Sequence, residues 1–194
     1  LSHPGQILLM ASHGQTLARQ RVRYWFSVGL LCVCLPGLAG EDISLERLKA
    51  AYVYNFLKFT TWPEENGPET PLQLCLDNAD ASLQHAFASL NGQQVNGRTI
   101  VVRDSPIKDD AKGCHVYYLR QGGAPVALRP LVALHPELLT IGDDEAFVEQ
   151  GGIIGLREVD GRLQFDINLA MIKQGRYQIS SQLLQLARNS RMKP

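Results

Sequence analysis

The chain has 194 residues, 19 basic against 19 acidic and 45% hydrophobic, with a sequence pI near 7.1. That is enough for one domain with a real core. Setting aside a leader that holds three arginines and no acid leaves 16 basic against 19 acidic residues. A mildly acidic domain lacks the basic footprint of nucleic-acid binders, so no nucleic acid is expected as a partner.

The leader comes first. Arg19, Arg21 and Arg23 precede an apolar run from Tyr24 to Leu35, and Pro36-Gly37-Leu38-Ala39-Gly40 supplies small residues at cleavage positions. This is the anatomy of a secretory signal peptide. The run has 12 residues, short of the roughly 20 that span a bilayer; a short N-terminal anchor is the competing reading. Cleavage after Ala39 makes 1–39 the signal peptide and 40–194 the exported domain. Met10 lies at a sensible distance before the basic cluster, so residues 1–9 read as an over-extended gene model. Leu31 and Val33, which precede Cys32 and Cys34, are not the small residues a lipoprotein signal requires.

Ser44 is placed to cap a helix running to about Phe59 and stopped by Trp62-Pro63. Tyr52, Tyr54, Phe56, Phe59 and Trp62 put five aromatics into eleven residues. Tyr52, Phe56 and Phe59 share one face at i, i+4 and i+7. An ordinary surface helix has a single apolar stripe, so this one is buried on most sides or docks onto a partner.

Further along, 67–71 reads as a loop and Leu72 to Leu76 as an alternating strand. Ala79 to Leu90 has helical spacing with Asn91-Gly92 as its stop, and Val95 to Arg98 is a turn before the strand Thr99–Arg103. Cys114 to Leu119 predicts a central strand, Val126 to Leu134 a helix, and Leu138 to Ile141 a buried strand. Asp143-Asp144-Glu145 opens a short helix to Gln150. Ile153–Val159, Asp160-Gly161 and Leu163–Ile167 form a hairpin, because Asp-Gly supplies the positive φ angles of a tight turn. Asn168 caps a helix through Ile172, Gly175 breaks it, and Tyr177 to Ile179 is extended. Ser180 caps a last helix to Ala187, with Arg188, Arg191 and Lys193 at its favourable C-terminal end. The fold class is α/β: a single-domain sandwich, a mixed β-sheet flanked by helices.

Catalytic chemistry finds little support. Two cysteines remain after the leader, Cys75 and Cys114. In an oxidising compartment they pair if the fold brings them together; two buried free thiols are the alternative. Cys114 and His115 are neighbours on a strand and point to opposite faces, so no metal site is expected there. There is no nucleophile elbow. Gly151 and Gly152 lack a phosphate-loop lysine, and a bulge or close crossing explains them better. Asp143, Asp144 and Glu145 are read as helix-start acids rather than a cation site, and Asn168 as a cap. No cofactor and no enzymatic activity are expected.

The segment A-A-Y-V-Y-N-F-L-K-F-T-T-W-P resembles the signature of the YfiR-like periplasmic proteins, as do G-C-H-V-Y-Y-L, L-T-I-G-D-D-E-A-F, E-Q-G-G-I-I-G-L and the ending L-Q-F-D-I-N-L-A through I-S-S-Q-L-L-Q-L-A-R. The resemblance implies a small exported α/β domain that represses YfiN, an inner-membrane diguanylate cyclase. It would do so by binding the cyclase's periplasmic sensor region, and so hold cyclic-di-GMP synthesis down. It also implies sequestration by YfiB, an outer-membrane lipoprotein, a tendency to form a homodimer, and a periplasmic location. Within it, Cys75 and Cys114 match the family's disulfide. Asn55, Phe56, Phe59, Trp62 and Pro63 match the N-terminal signature, and Gly151, Gly152 and Asn168 the later motifs. A second cysteine pair carried by some relatives is missing here, where Val148 and Ile154 stand.

The expected partner-binding residues are therefore Tyr52, Asn55, Phe56, Phe59 and Trp62, with Pro63, Gly151, Gly152 and Asn168 as structural motif positions. The alternative is a periplasmic small-molecule binding module whose aromatics line a pocket.

Overall fold

Ser44 opens α1 (Leu45–Lys58), its hydroxyl accepting from the Arg47 N–H at 3.3 Å. The computed structural model describes residues 44–63, 70–77, 79–105, 111–121, 127–187 and 189–191, all within one compact unit, Glu41–Pro194. The expected leader and cleavage site, Cys32 and Cys34, most of the 67–71 loop, Val126, Arg188 and Lys193 lie outside the described residues. No helix among the described residues is long and apolar enough to cross a membrane.

After α1 come β1 (Thr60–Thr61), β2 (Leu72–Asp77), α2 (Ala81–Ala88), β3 (Gln94–Val95) and β4 (Arg98–Asp104). Then follow β5 (Val116–Leu119), α3 (Leu128–Leu134), β6 (Leu139–Gly142), β7 (Ile154–Val159) and β8 (Arg162–Asn168). α4 (Leu169–Ile172), β9 (Gln178–Ile179), α5 (Ser181–Leu186) and β10 (Asn189–Arg191) complete the chain. Eight strands form one sheet in the order β10-β8-β7-β6-β5-β2-β4-β3, and β1 pairs antiparallel with β9 in a separate ribbon. β4, β2, β5, β6 and β7 are mutually parallel, while β7–β8 and β3–β4 are antiparallel. The expected mixed sheet is present.

Within the parallel part, the spatial order β4-β2-β5-β6-β7 is the doubly wound arrangement in which chain order reverses beside the first strand. The connection after β2 runs to one side and those after β5 to the other. The carboxyl ends of β5, β6 and β7 consequently open on the same side of the sheet.

Both faces of the sheet are covered. Leu74, Leu76, Ile100, Val116, Tyr118, Leu139 and Ile141 pack with Val53, Phe56 and Leu57 of α1 and with Leu83 and Phe87 of α2. Cys75, Tyr117, Leu119 and Leu138 pack with Leu128 of α3 and with Phe147 on the opposite face. Two-sided cover is why β2 is buried almost throughout rather than alternating as its L-Q-L-C-L pattern suggests. Full burial of each such Leu or Phe contributes about 1.5–3 kcal/mol.

Four differences from the sequence expectations have physical causes. α1 ends at Lys58, ahead of Trp62-Pro63, because Thr60 and Thr61 leave the helix to pair with β9. α3 begins at Leu128, which places Pro130 in the first turn, where its missing N–H costs no helical bond. Asp143 to Gln150 forms turns rather than a helix: Asp144 Oδ1 accepts from Ala146 N–H at 2.9 Å, only two residues on. That is the bond a helix cap makes, but Gly151, at φ +105°, turns the chain away before the turns extend into a helix. Finally, Asn189–Arg191 is an edge strand parallel to β8 rather than a helix terminus.

Candidate functional site

The expected contact residues start on α1, and packing divides them. Phe56 is 1% exposed; its ring stands 5.0 Å from Phe165 and 6.1 Å edge-on from Tyr52. Tyr52 is half-buried and donates its hydroxyl to the Leu163 carbonyl at 2.9 Å. This face of α1 is thereby fastened to β8. Trp62, 7% exposed, donates Nε1–H to the Glu137 carbonyl at 2.9 Å and packs near His115 and Tyr177. Phe59 is half-buried, and its carbonyl accepts from Ser180 N–H at 2.9 Å. Asn55 is exposed and bonds back to the Ala51 carbonyl at 3.0 Å.

Phe56 and Trp62 therefore shape the surface from within. What α1 offers to solvent is a narrow stripe: Arg47, Ala51, Asn55 and Lys58. Half-buried Tyr54 borders it, with its hydroxyl 3.3 Å from the Gln94 carbonyl and the Lys58 ammonium 5.7 Å from its ring centroid.

The motif positions have structural roles. Gly151 adopts φ +105°, and a Cβ on Gly152 would sit 2.2 Å from the Phe147 ring, so the second glycine marks a close approach. Asn168 Oδ1 accepts from Met171 N–H at 3.2 Å while Nδ2 donates to the Val148 carbonyl at 3.0 Å, capping α4 and anchoring the preceding turn together. Pro63 is exposed after Trp62.

Cys75 and Cys114 form a disulfide, with Cα atoms 6.0 Å apart, joining β2 to the segment before β5. Arg103 Nη2 lies 3.5 Å from one sulfur and 3.6 Å from the other. His115, the neighbour of Cys114, holds both ring nitrogens engaged, Nδ1 with Gln73 N–H at 3.2 Å and Nε2 with Arg98 at 2.8 Å. Burial, aided by the Arg98 charge and opposed by Glu137, pushes its pKa down to about 4. It is a neutral, structural histidine at ordinary pH. Among the described residues no group of three or more His, Cys, Asp or Glu is placed to hold a metal.

A feature invisible in the sequence lies at the carboxyl ends of β5, β6 and β7. Asp143, with a side chain 6% exposed, accepts from Lys49 Nζ at 2.5 Å, from the Tyr118 hydroxyl at 3.1 Å and from Gln121 N–H at 2.5 Å. Burial, and then the Asp143 carboxylate, hold the Tyr118 phenol well above its ordinary pKa. Lys49 and Asp143 are 94 residues apart, so no spacing signals the pair. They form the floor of a cleft of about 330 Å³ between α1, the turn after β6 and the β7–β8 hairpin. Arg157 on its wall is ion-paired to Asp166. Of the three acids expected to start a helix, Asp143 is this buried anchor, Asp144 holds a turn, and Glu145 stands exposed at the cleft.

Compared with known families, the chain matches the one described as YfiR/HmsC-like over residues 46–188. A comparison with curated proteins gives no match.

Proposed function

The chain belongs to the YfiR/HmsC-like family, and from that premise we propose that it is a periplasmic, non-enzymatic repressor of a membrane-bound diguanylate cyclase. Membership itself implies periplasmic regulation of diguanylate cyclase signalling. The observation that carries the finer reading is the extent of the match, which runs from the second residue of α1 to beyond α5. The leader pattern and the disulfide support export to an oxidising compartment.

The repressor works by population shift. It binds the inactive form of the cyclase's periplasmic sensor region more tightly than the active form, and that difference is the repression. A hundredfold shift needs about 2.7 kcal/mol of differential affinity. The exposed stripe of α1, with Asn55 and Lys58 beside half-buried Tyr52 and Phe59, is the contact surface. Phe56 and Trp62 support it from the core. A YfiB-like outer-membrane lipoprotein relieves repression by sequestering the regulator, and the active regulator is a homodimer.

The test is capture from host membranes with the full exported protein, alongside cellular cyclic-di-GMP in strains with and without the gene. The expected result is retention of a cyclase through its periplasmic region and a rise in cyclic-di-GMP on deletion. Unchanged cyclic-di-GMP with no cyclase retained overturns the reading.

A further inference from the structure

Arg98 staples two segments together at the amino end of the sheet. It is the first residue of β4, and its backbone is fixed by pairing with Val95 of β3. Its side chain crosses to the residues that lead into β2. Nε donates to the Thr70 carbonyl at 2.8 Å and Nη2 to the Pro71 carbonyl at 3.3 Å. The same Nη2 lies 2.8 Å from His115 Nε2. The staple therefore rests against a ring that can change its charge.

That ring has little to give. A neutral imidazole carries one lone pair between its two nitrogens, and two donors face it: Arg98, and the Gln73 N–H at 3.2 Å from Nδ1. The shorter contact comes from a cation and is the stronger claim. A proton on the ring removes the lone pair and sets an imidazolium against a guanidinium at contact distance. Of the other groups around it, Glu137, on the segment between α3 and β6, favours the proton, and its Oε1 lies 3.5 Å from His135 Nδ1. Trp62, from the end of β1, meets the ring edge-on at 6.5 Å and brings no charge; the Tyr177 ring lies behind it at 6.3 Å.

Mobility decides which cation yields. His115 is held by its backbone, its N–H donating to the Gln73 carbonyl at 2.9 Å and its carbonyl accepting from Leu139 N–H at 2.9 Å. Arg98 is half-exposed on a flexible stem and Pro71 is exposed, so the guanidinium and the carbonyl it leaves can both turn to water.

We propose that protonation of His115 releases the Arg98 side chain from Thr70 and Pro71, an acid-operated catch that loosens the entry to β2 while the sheet stays folded. Burial and the Arg98 charge hold the ring's pKa down to about 4, so the catch is closed at neutral pH and opens as the pH falls through that value. It is a property of this chain's own residues and holds whether or not the protein represses a cyclase.

The experiment is an acid titration of the oxidised, exported protein from neutral pH to below the His115 pKa. NMR of the His115 ring reports protonation, and the Arg98 Nε–Hε resonance reports the bond to Thr70. The fluorescence of Trp62, the only tryptophan outside the expected leader, reports the charge of its neighbour, since an imidazolium quenches an adjacent indole. Far-UV circular dichroism follows the fold. The three local signals are expected to move together with a midpoint near pH 4, with the dichroism unchanged. R98M removes the like charge and should raise the His115 midpoint by about one unit. H115F should hold the Arg98 resonance still and abolish the fluorescence step; R98M keeps the test open if H115F does not fold. Four results overturn the proposal: an Arg98 resonance that stays in place while His115 titrates, one that moves equally in H115F, an unmoved His115 midpoint in R98M, or dichroism lost in step with the Arg98 signal.

Discussion

Replacing Gly152 with alanine sets two physical effects against each other. The φ of Gly152 lies outside the left-handed region, so the backbone accepts alanine. Loss of unfolded-state freedom alone would then stabilise the protein by about 0.4–1 kcal/mol. The new Cβ, however, would lie 2.2 Å from Phe147 Cε1 and 2.3 Å from Cδ1, where ordinary contact begins at 3.4 Å. The ring has no room to retreat, because a Cβ on Gly142 would meet its other edge at 2.4 Å. Phe147 is 3% exposed, clamped between the end of β6 and the start of β7. Overpacking of this kind costs about 1–3 kcal/mol, so G152A should destabilise by about 1–2 kcal/mol net. The assay is urea unfolding of the oxidised protein, read as a midpoint shift at constant slope. In an F147L background the clash is gone, and G152A should become neutral or slightly stabilising, giving a coupling of about 1–2 kcal/mol. A stabilised G152A, or the same shift in both backgrounds, refutes the close-approach argument.

Other outcomes follow from the same geometry. Replacing both Cys75 and Cys114 with alanine opens a loop of sequence separation 39 and should cost about 4 kcal/mol in the chain-entropy account, measured by chemical unfolding. His115 takes up a proton near pH 4 when folded and near 6.5 when unfolded, so its contribution is complete above 6.5 and is lost as pH falls towards 4. Allowing for its partial exposure, that is about 1–2 kcal/mol, and H115F should flatten the acid limb of stability against pH. D143N strands the Lys49 ammonium and should cost about 2–3 kcal/mol, while K49M/D143L recovers most of it in a double-mutant cycle. N55R and K58E should weaken repression with melting temperatures within a few degrees of the parent. F56A should instead lose about 3–5 kcal/mol of stability along with repression.

What the sequence reveals is what neighbouring residues decide. Asp160 and Gly161 take φ of 51° and 70° in the expected hairpin turn. Ser44 and Asn168 cap the helices their positions suggest. The division of the α1 aromatics into buried and bordering residues depends on β8, more than a hundred residues away, and no helical period encodes it. Distance likewise hides the Lys49–Asp143 pair. β10 escapes notice because three polar residues beside a helix carry no period of two; only the neighbouring β8 makes them a strand. The resemblance to known sequences supplied the regulatory reading, which neither periodicity nor composition contains.

The bridge between Cys75 and Cys114 has a consequence in time. β2 and β5 are adjacent at the centre of the sheet, yet the chain visits α2, β3 and β4 between them. Joining such distant partners is the slow event in parallel-sheet assembly, since loop closure must precede the contacts that reward it. A chain oxidised before it folds starts with that encounter already made, and β4 and β6 can add to a central pair held side by side. A chain kept reduced must search for the pair, with strand edges open to other molecules meanwhile. The order of oxidation and folding thus sets how long those strand edges stay unpaired.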